Sequence, residues 1–383
     1  GGLLEILAPS LMSFLAPGFS DDTRALTVTL LRVVLPAYLF AFLADLATVP
    51  LHAHRRFGLP AISRLIVPIL TLLTLLTLAR RLGVVTLAIG TVAGTAIQVG
   101  TLLAALRGSG YTFRFSLRMR DPDVRRVLAL TFPFVISILA AHGAGAVYRI
   151  LISHEPPGSL ASLKFGEKIY QLCNTLFFGT ITQVAFPALA RAAATSDEIL
   201  RHRFAEAARA VVFLGIPVTV GIILLREPLV RLLFERGAFT AESTTATALL
   251  VPFLIIGILG NGLSSLLGHV TLALQATRIS VGVNIALQAI AASLFVFLTP
   301  SLGVKGIALT SGLGPFVLLL LYLWALRSRG LGLGAILLDK SLLRLFAAGA
   351  VCMTLVVAST TLLERLSAGT IRDVLVLSVG GIV

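Results

Sequence analysis

Charge is what this chain has least of. Only 13% of its residues are Asp, Glu, Lys or Arg, against 57% hydrophobic, whereas a soluble domain carries roughly 25% charged residues. That shortage excludes an ordinary water-soluble fold. The strict apolar–polar alternation of an outer-membrane barrel is also missing. Cysteine is scarce: Cys173 and Cys352 stand in separate apolar stretches, so neither a disulfide framework nor a zinc spacing exists. No phosphate-cradling GxxxxGK[ST], metal-ligand spacing, convergent Ser/His/Asp set or pair of carboxylates for acid–base work occurs, so no enzyme chemistry or cofactor is indicated. The chain begins with Gly, and no signal-peptide pattern follows.

What is present are apolar runs, most of about 20 residues or more, the length at which a helix spans roughly 30 Å of hydrocarbon. Backbone polar groups must be satisfied inside lipid, so the runs are helices. They fall at about 24–50, 59–79, 84–106, 124–152, 159–190, 199–225, 241–273, 279–299, 304–326 and 341–363, with partial helices at about 1–15 and 371–383. Asp121-Pro122 reads as an N-cap followed by proline at the first helical position. The expected class is an all-α polytopic membrane protein.

Acids are scarcer than bases: 17 against 31, a net charge of +14. The loop "YTFRFSLRMRDPDVRR" interleaves aromatics and arginine as a nucleic-acid binder does. Both features are better explained by Lys and Arg collecting in cytoplasmic loops, and no nucleic acid is expected. Counting alternate loops puts eighteen Lys and Arg on one side and nine on the other. The richer side is assigned to the cytoplasm.

"FLAPGF" at 14–19 and "FERGAF" at 234–239 are near-copies, both on the poorer side. Shifting the chain by 220 residues brings Phe14 onto Phe234, Phe19 onto Phe239, "LGV" at 82–84 onto "LGV" at 302–304, Gly94 onto Gly314, and "ALR" at 105–107 onto "ALR" at 325–327. This is an internal repeat. Six helices separate the copies, so the repeat is read as parallel. The expected organisation is a first lobe at 1–107, a cytoplasmic inter-lobe loop at 108–123, a second six-helix lobe at 124–327, and a linker with a C-terminal helix pair at 328–383. By the same register, the first six-helix lobe is read as truncated: about two and a half helices, roughly 96 residues, are expected before Gly1. The last helix is expected to be cut.

Charges inside apolar helices cost at least about 2.5–3.5 kcal/mol each. Four cations lie there, Arg32, Arg149, Lys164 and Lys168, against two clear acids, Asp45 and Glu167. Lys164 and Lys168 are four residues apart and share a helix face. Glu167 can pair with Lys164. Lys168 lies roughly 13 Å in from Ser159, too deep for easy snorkelling. Two readings are open: a structural network neutralised by Glu167, or a cationic cavity that attracts a phosphate-bearing substrate. The excess of cations favours the second. Pro36, Pro68, Pro133, Pro217 and Pro252 fall within spans, Gly143 and Gly145 suggest a bend, and Gly90 and Gly94 form a GxxxG that permits close helix packing.

Several stretches resemble the MurJ/MviN lipid II flippases of the multidrug/oligosaccharidyl-lipid/polysaccharide exporter superfamily: "LAPGF", "RDPDVRRVLALTFPFV", "PPGSLASLKFGEKIYQL", "REPLVRLLFERGAFTAEST" and "LGVKGIAL". The resemblance implies two six-helix lobes around a cationic cavity, a final helix pair lining a groove for the lipid tail, and residence in the bacterial inner membrane. It implies lipid II, a lipid-linked anionic oligosaccharide, as substrate, membrane lipids as surroundings, and cell-wall synthesis proteins as further partners. The family's acidic–Arg pair appears here as Glu167-Lys168, where lysine keeps the charge but loses the bidentate fork. Lys168, Lys164 and Arg149 are expected to attract the pyrophosphate, with Arg32 adding charge from the other lobe. Some members of the family bind sodium through Asp and Asn on helices equivalent to 124–152 and 279–299; here Asn284 and Gln288 stand one turn apart on the second and no aspartate stands on the first, so these two are weak candidates. A membrane potential or ion gradient is the expected driving force. A drug or polysaccharide exporter, or a non-transporting scaffold for cell-wall synthesis, remain alternatives.

Overall fold

The computed structural model describes residues 2–54, 56–108, 121–337 and 351. Helix starts follow local chemistry. Ser20 accepts a hydrogen bond from the Thr23 N–H and precedes Asp21 and Asp22, so α2 (Asp21–Ala53) opens there with acids at its positive end. The same device recurs 220 residues on, where Thr240 accepts from the Ser243 N–H and opens α11 (Ala241–Ile255); in this chain order α1 is Gly2–Leu15. In the first unit, α3 (Gly58–Ser63), α4 (Ile66–Leu82) and α5 (Val85–Gly108) complete the set. The second holds α6 (Pro122–Ser153), α7 (Ser159–Cys173), α8 (Thr180–Thr195), α9 (Asp197–Leu224) and α10 (Arg226–Phe234) before α11. After it come α12 (Gly257–Ala273), α13 (Thr277–Leu302), α14 (Val304–Arg327) and the short α15 (Leu333–Leu337).

Compactness divides the chain into Gly1–Val124 and Arg125–Val383. Nine stretches among the described residues are helical, long and apolar enough to cross a membrane, from Asp21–Ala53 to Val304–Arg327. Each sits within a few residues of its expected span. Three details escape the hydropathy. The run at 59–79 breaks between α3 and α4. The run at 241–273 breaks at Ile256, four residues after Pro252. The run at 159–190 extends to Thr195 through a π-helical turn at Asn174–Gly179. The bend expected at Gly143 and Gly145 is not a break, because α6 stays helical through both. Most of the loop at 108–123, the helices expected at 341–363 (Val351 apart) and 371–383, and Arg55, Arg114, Arg118, Arg120, Lys340 and Arg344 lie outside the described residues.

The 220-residue register persists in the backbone. Gly83 ends α4 at φ +56°, ψ −136°, donating its N–H to the Ala79 carbonyl; Gly303 ends α13 at φ +57°, ψ −139°, donating to Thr299. Only glycine takes such a conformation without strain. Gly90 and Gly94 face α4: a Cβ on Gly90 would lie 2.7 Å from the Thr71 Cα, and one on Gly94 2.8 Å from the Val67 Cα. The GxxxG therefore seats α5 directly on the α4 backbone. In the second unit the larger of two buried clusters runs from Ile169 through Phe178, Phe204 and Val211 to Ile258, Leu266 and Leu326, and the smaller gathers Ile152, Leu163, Leu254 and Phe295.

Gly83 has open space around it, so Gly83→Ala should destabilise through backbone strain alone, by about 1–3 kcal/mol. Gly90→Ala should destabilise instead by crowding Thr71. Thermal unfolding of the detergent-solubilised variants measures both. The Gly83 loss should be the same for Ala and Ser, while the Gly90 loss should grow with side-chain size.

Candidate functional site

Helix α7 has two faces. Leu163, Gly166 and Ile169 are buried, and the space beside Gly166 is filled by Leu254 of α11. At 100° per residue, Lys164 and Lys168 lie about 40° apart on the opposite side, and both are exposed. Between the faces stands Glu167, half-buried. It receives a 2.6 Å hydrogen bond from Lys164 Nζ and a 3.3 Å one from the Tyr148 hydroxyl of α6. Lys164 also lies 5.2 Å from the Tyr148 ring centroid, a cation–π contact. Tyr148 in turn meets Phe295 of α13 edge-on at 5.7 Å. One carboxylate thus takes up one of the two lysines and one tyrosine. Lys168 has no hydrogen-bonding or ion-pair partner among the described residues.

Arg149 follows Tyr148 on α6 and is exposed. Its guanidinium folds back along its own helix, 3.5 Å from where a Cβ on Gly145 would sit. Among the described residues it has no ion-pair partner. The second unit therefore brings Tyr148, Arg149, Lys164, Glu167 and Lys168 onto two consecutive helices. Arg32, exposed on α2, belongs to the first unit. Asn284 and Gln288 are one turn apart on α13; Asn284 donates its amide to the Ser280 carbonyl. No group of three or more His, Cys, Asp or Glu side chains gathers among the described residues.

Sequence reasoning missed Tyr148, although a phenol in an apolar helix beside Arg149 was a usable signal. It also missed Asn174 and Asn261, whose side chains bond at 2.7 Å. This pair ties α12 to the start of the π-helical turn, a local irregularity often found at functional sites. The phenylalanines of "FERGAF" were visible as a repeat but not as a support. Phe234 and Phe239 lie 4.9 and 4.8 Å from the ring of Phe165, so the hexapeptide clasps α7 one residue from Lys164.

A bundle of long apolar helices, with cations in its spans that lack partners among the described residues, defines a class, the polytopic membrane proteins. The solved inward-facing conformation of a multidrug resistance MATE family transporter shares the fold, with a TM-score of 0.69 and 15% identity over 88% of this chain and 78% of that one. The solved inward-closed conformation of lipid II flippase MurJ shares it more fully, at TM-score 0.81 and 18% identity over 99% and 78%. The chain belongs to the lipid II flippase MurJ family, whose model matches residues 2–377, and it is a multi-pass inner-membrane protein. Relatives include the probable lipid II flippase MurJ of Rickettsia prowazekii, 24% identical over 67% of this chain and 51% of the relative. That of Rhizobium meliloti is 28% identical over 80% and 58%. The lipid II flippase MurJ of Burkholderia cenocepacia is 25% identical over 82% and 63%. The chain thus spans between half and two thirds of the length of these curated relatives.

Tyr148→Phe removes one hydroxyl from Glu167 and should cost on the order of 1 kcal/mol. Tyr148→Ala also removes the contact with Phe295 and the seat of Lys164, and should cost more. Comparing the two by thermal unfolding separates the hydroxyl from the ring. Equal losses would show that the ring carries nothing.

Proposed function

We propose that the intact protein flips lipid II, or a closely related lipid-linked anionic oligosaccharide, across the inner membrane by alternating access, with no covalent chemistry. Membership of the family supports the substrate class. The observation that carries the site is the single carboxylate, Glu167, among three cations on α7 and the apolar span of α6, Val127–Ser153. Glu167 takes up Lys164, which leaves Lys168 and Arg149 available to phosphate oxygens. Unpaired cations in membrane spans are expensive, and expense without an internal partner points to an external one. Arg32 is proposed to add charge from the first unit. The driving force is proposed to be an ion gradient or the membrane potential.

Drug antiporters of this fold class would need embedded carboxylates to carry protons, and the two clearly embedded ones, Asp45 and Glu167, are few. A scaffold would need no unpaired cation at all. Complementation of a flippase-depleted bacterium with the intact gene distinguishes the three. Lys168→Ala should lower lipid II translocation by about tenfold or more, as expected when a charge-assisted contact worth roughly 1.5–3 kcal/mol is lost. Lys168→Arg should retain it, and Lys168→Glu should abolish it. Full translocation by Lys168→Ala would remove that residue from the mechanism.

A further inference from the structure

The end of the second unit that carries "HEPPGS", "FERGAF" and "TPSLG" holds a cavity of about 790 Å³, within the range of roughly 300–1,000 Å³ usual for small-ligand sites. Its walls are mainly apolar, with Phe165, Phe239 and Leu250 among them. Three ionisable side chains line it: Glu155, Glu242 and Lys305. None of the three has an ion pair or a side-chain hydrogen bond among the described residues. The Glu155 carboxylate lies over the turn into α14, where a Cβ on Gly303 would come within 3.1 Å of its Oε2.

Lys305 is the informative residue. It stands in the first turn of α14, where the helix dipole disfavours a cation. The fold does not require it there: in the first copy of the repeat the same glycine turn, with the same backbone angles, is followed by Val84-Val85 instead of Val304-Lys305. The charge is therefore an addition to the scaffold. A bare anion would face two carboxylates against one ammonium. A neutral apolar ligand would strip water from three charges and return nothing. A ligand with excess positive charge and one carboxylate satisfies all three.

We propose that this cavity binds a short peptide that presents ammonium groups to Glu155 and Glu242 and a free carboxylate to Lys305, with its apolar side chains against Phe165 and Phe239. Lys164 and Lys168 do not line the cavity, so the site is separate from the cationic face of α7.

The probe is the tripeptide Leu-Lys-Leu with free termini, titrated calorimetrically into the purified intact protein in detergent. Saturable one-to-one binding is expected, with Leu-Glu-Leu binding at least tenfold more weakly. The double variant Glu155→Gln/Glu242→Gln should weaken the Lys peptide at least tenfold, and Ala246→Phe, which fills the cavity, should remove binding. Lys305→Gln should abolish the preference for the free over the amidated C-terminus. That preference is a ratio within one protein, so it stays readable even where another variant folds poorly. Absence of saturable binding to the unaltered protein would overturn the proposal. So would equal affinity for the acidic peptide, or a terminus preference that survives Lys305→Gln.

Discussion

Hydrocarbon offers no partner to a polar group, and that constraint organises the molecule. Each backbone group in a span must be satisfied within its own helix, and several threonine side chains do the same. Thr71 bonds the Val67 carbonyl at 2.8 Å, Thr74 the Leu70 carbonyl at 2.9 Å, Thr95 the Thr91 carbonyl at 2.8 Å and Thr310 the Gly306 carbonyl at 2.9 Å. These four hydroxyls are consumed by the helices that carry them, whereas those of Thr86, Thr219, Thr247 and Thr299 are buried without a partner among the described residues. Against this background a charge without an internal partner among the described residues stands out, as do Arg149 in the span of α6 and Lys168 in α7.

The cationic face depends on supports behind it. α7 is pressed onto α11 through Leu163, Gly166 and Ile169, and is held at Phe165 by the two phenylalanines of "FERGAF". Rotation of α7 would carry Lys164 and Glu167 together away from Tyr148. The loop also braces itself: Glu235 of the hexapeptide accepts a 2.6 Å bond from Thr244 on α11 and meets Arg231 of α10 at 3.6 Å. An extramembrane turn thus fixes the azimuth of an intramembrane helix.

Much of this was legible. Spans show themselves because burial in lipid demands long apolar runs, and the repeat showed itself because glycine and phenylalanine are rare enough to mark a register. The Lys164–Glu167 pair followed from helical spacing. What stayed hidden depends on contacts between helices distant in sequence. Tyr148 reaches Glu167 across nineteen positions and Asn261 reaches Asn174 across eighty-seven; no periodicity encodes either. The π-helical turn was invisible for another reason: one extra residue in a turn leaves the hydropathy of a span unchanged.

The repeat also separates scaffold from specialisation. At equivalent positions the backbone devices coincide: the hydroxyl caps of Ser20 and Thr240, and the glycine turns of Gly83 and Gly303. The chemistry at neighbouring positions does not. Arg24 binds the carbonyls of Pro17 and Phe19, closing the first hexapeptide, whereas its counterpart Thr244 binds a carboxylate to close the second. Arg32 corresponds to Pro252, and Lys305 to Val85. A charge that one copy does without is not demanded by the backbone framework the two copies share. Arg32 and Lys305 each occur once. Each charge is therefore an addition to the repeated framework rather than part of it.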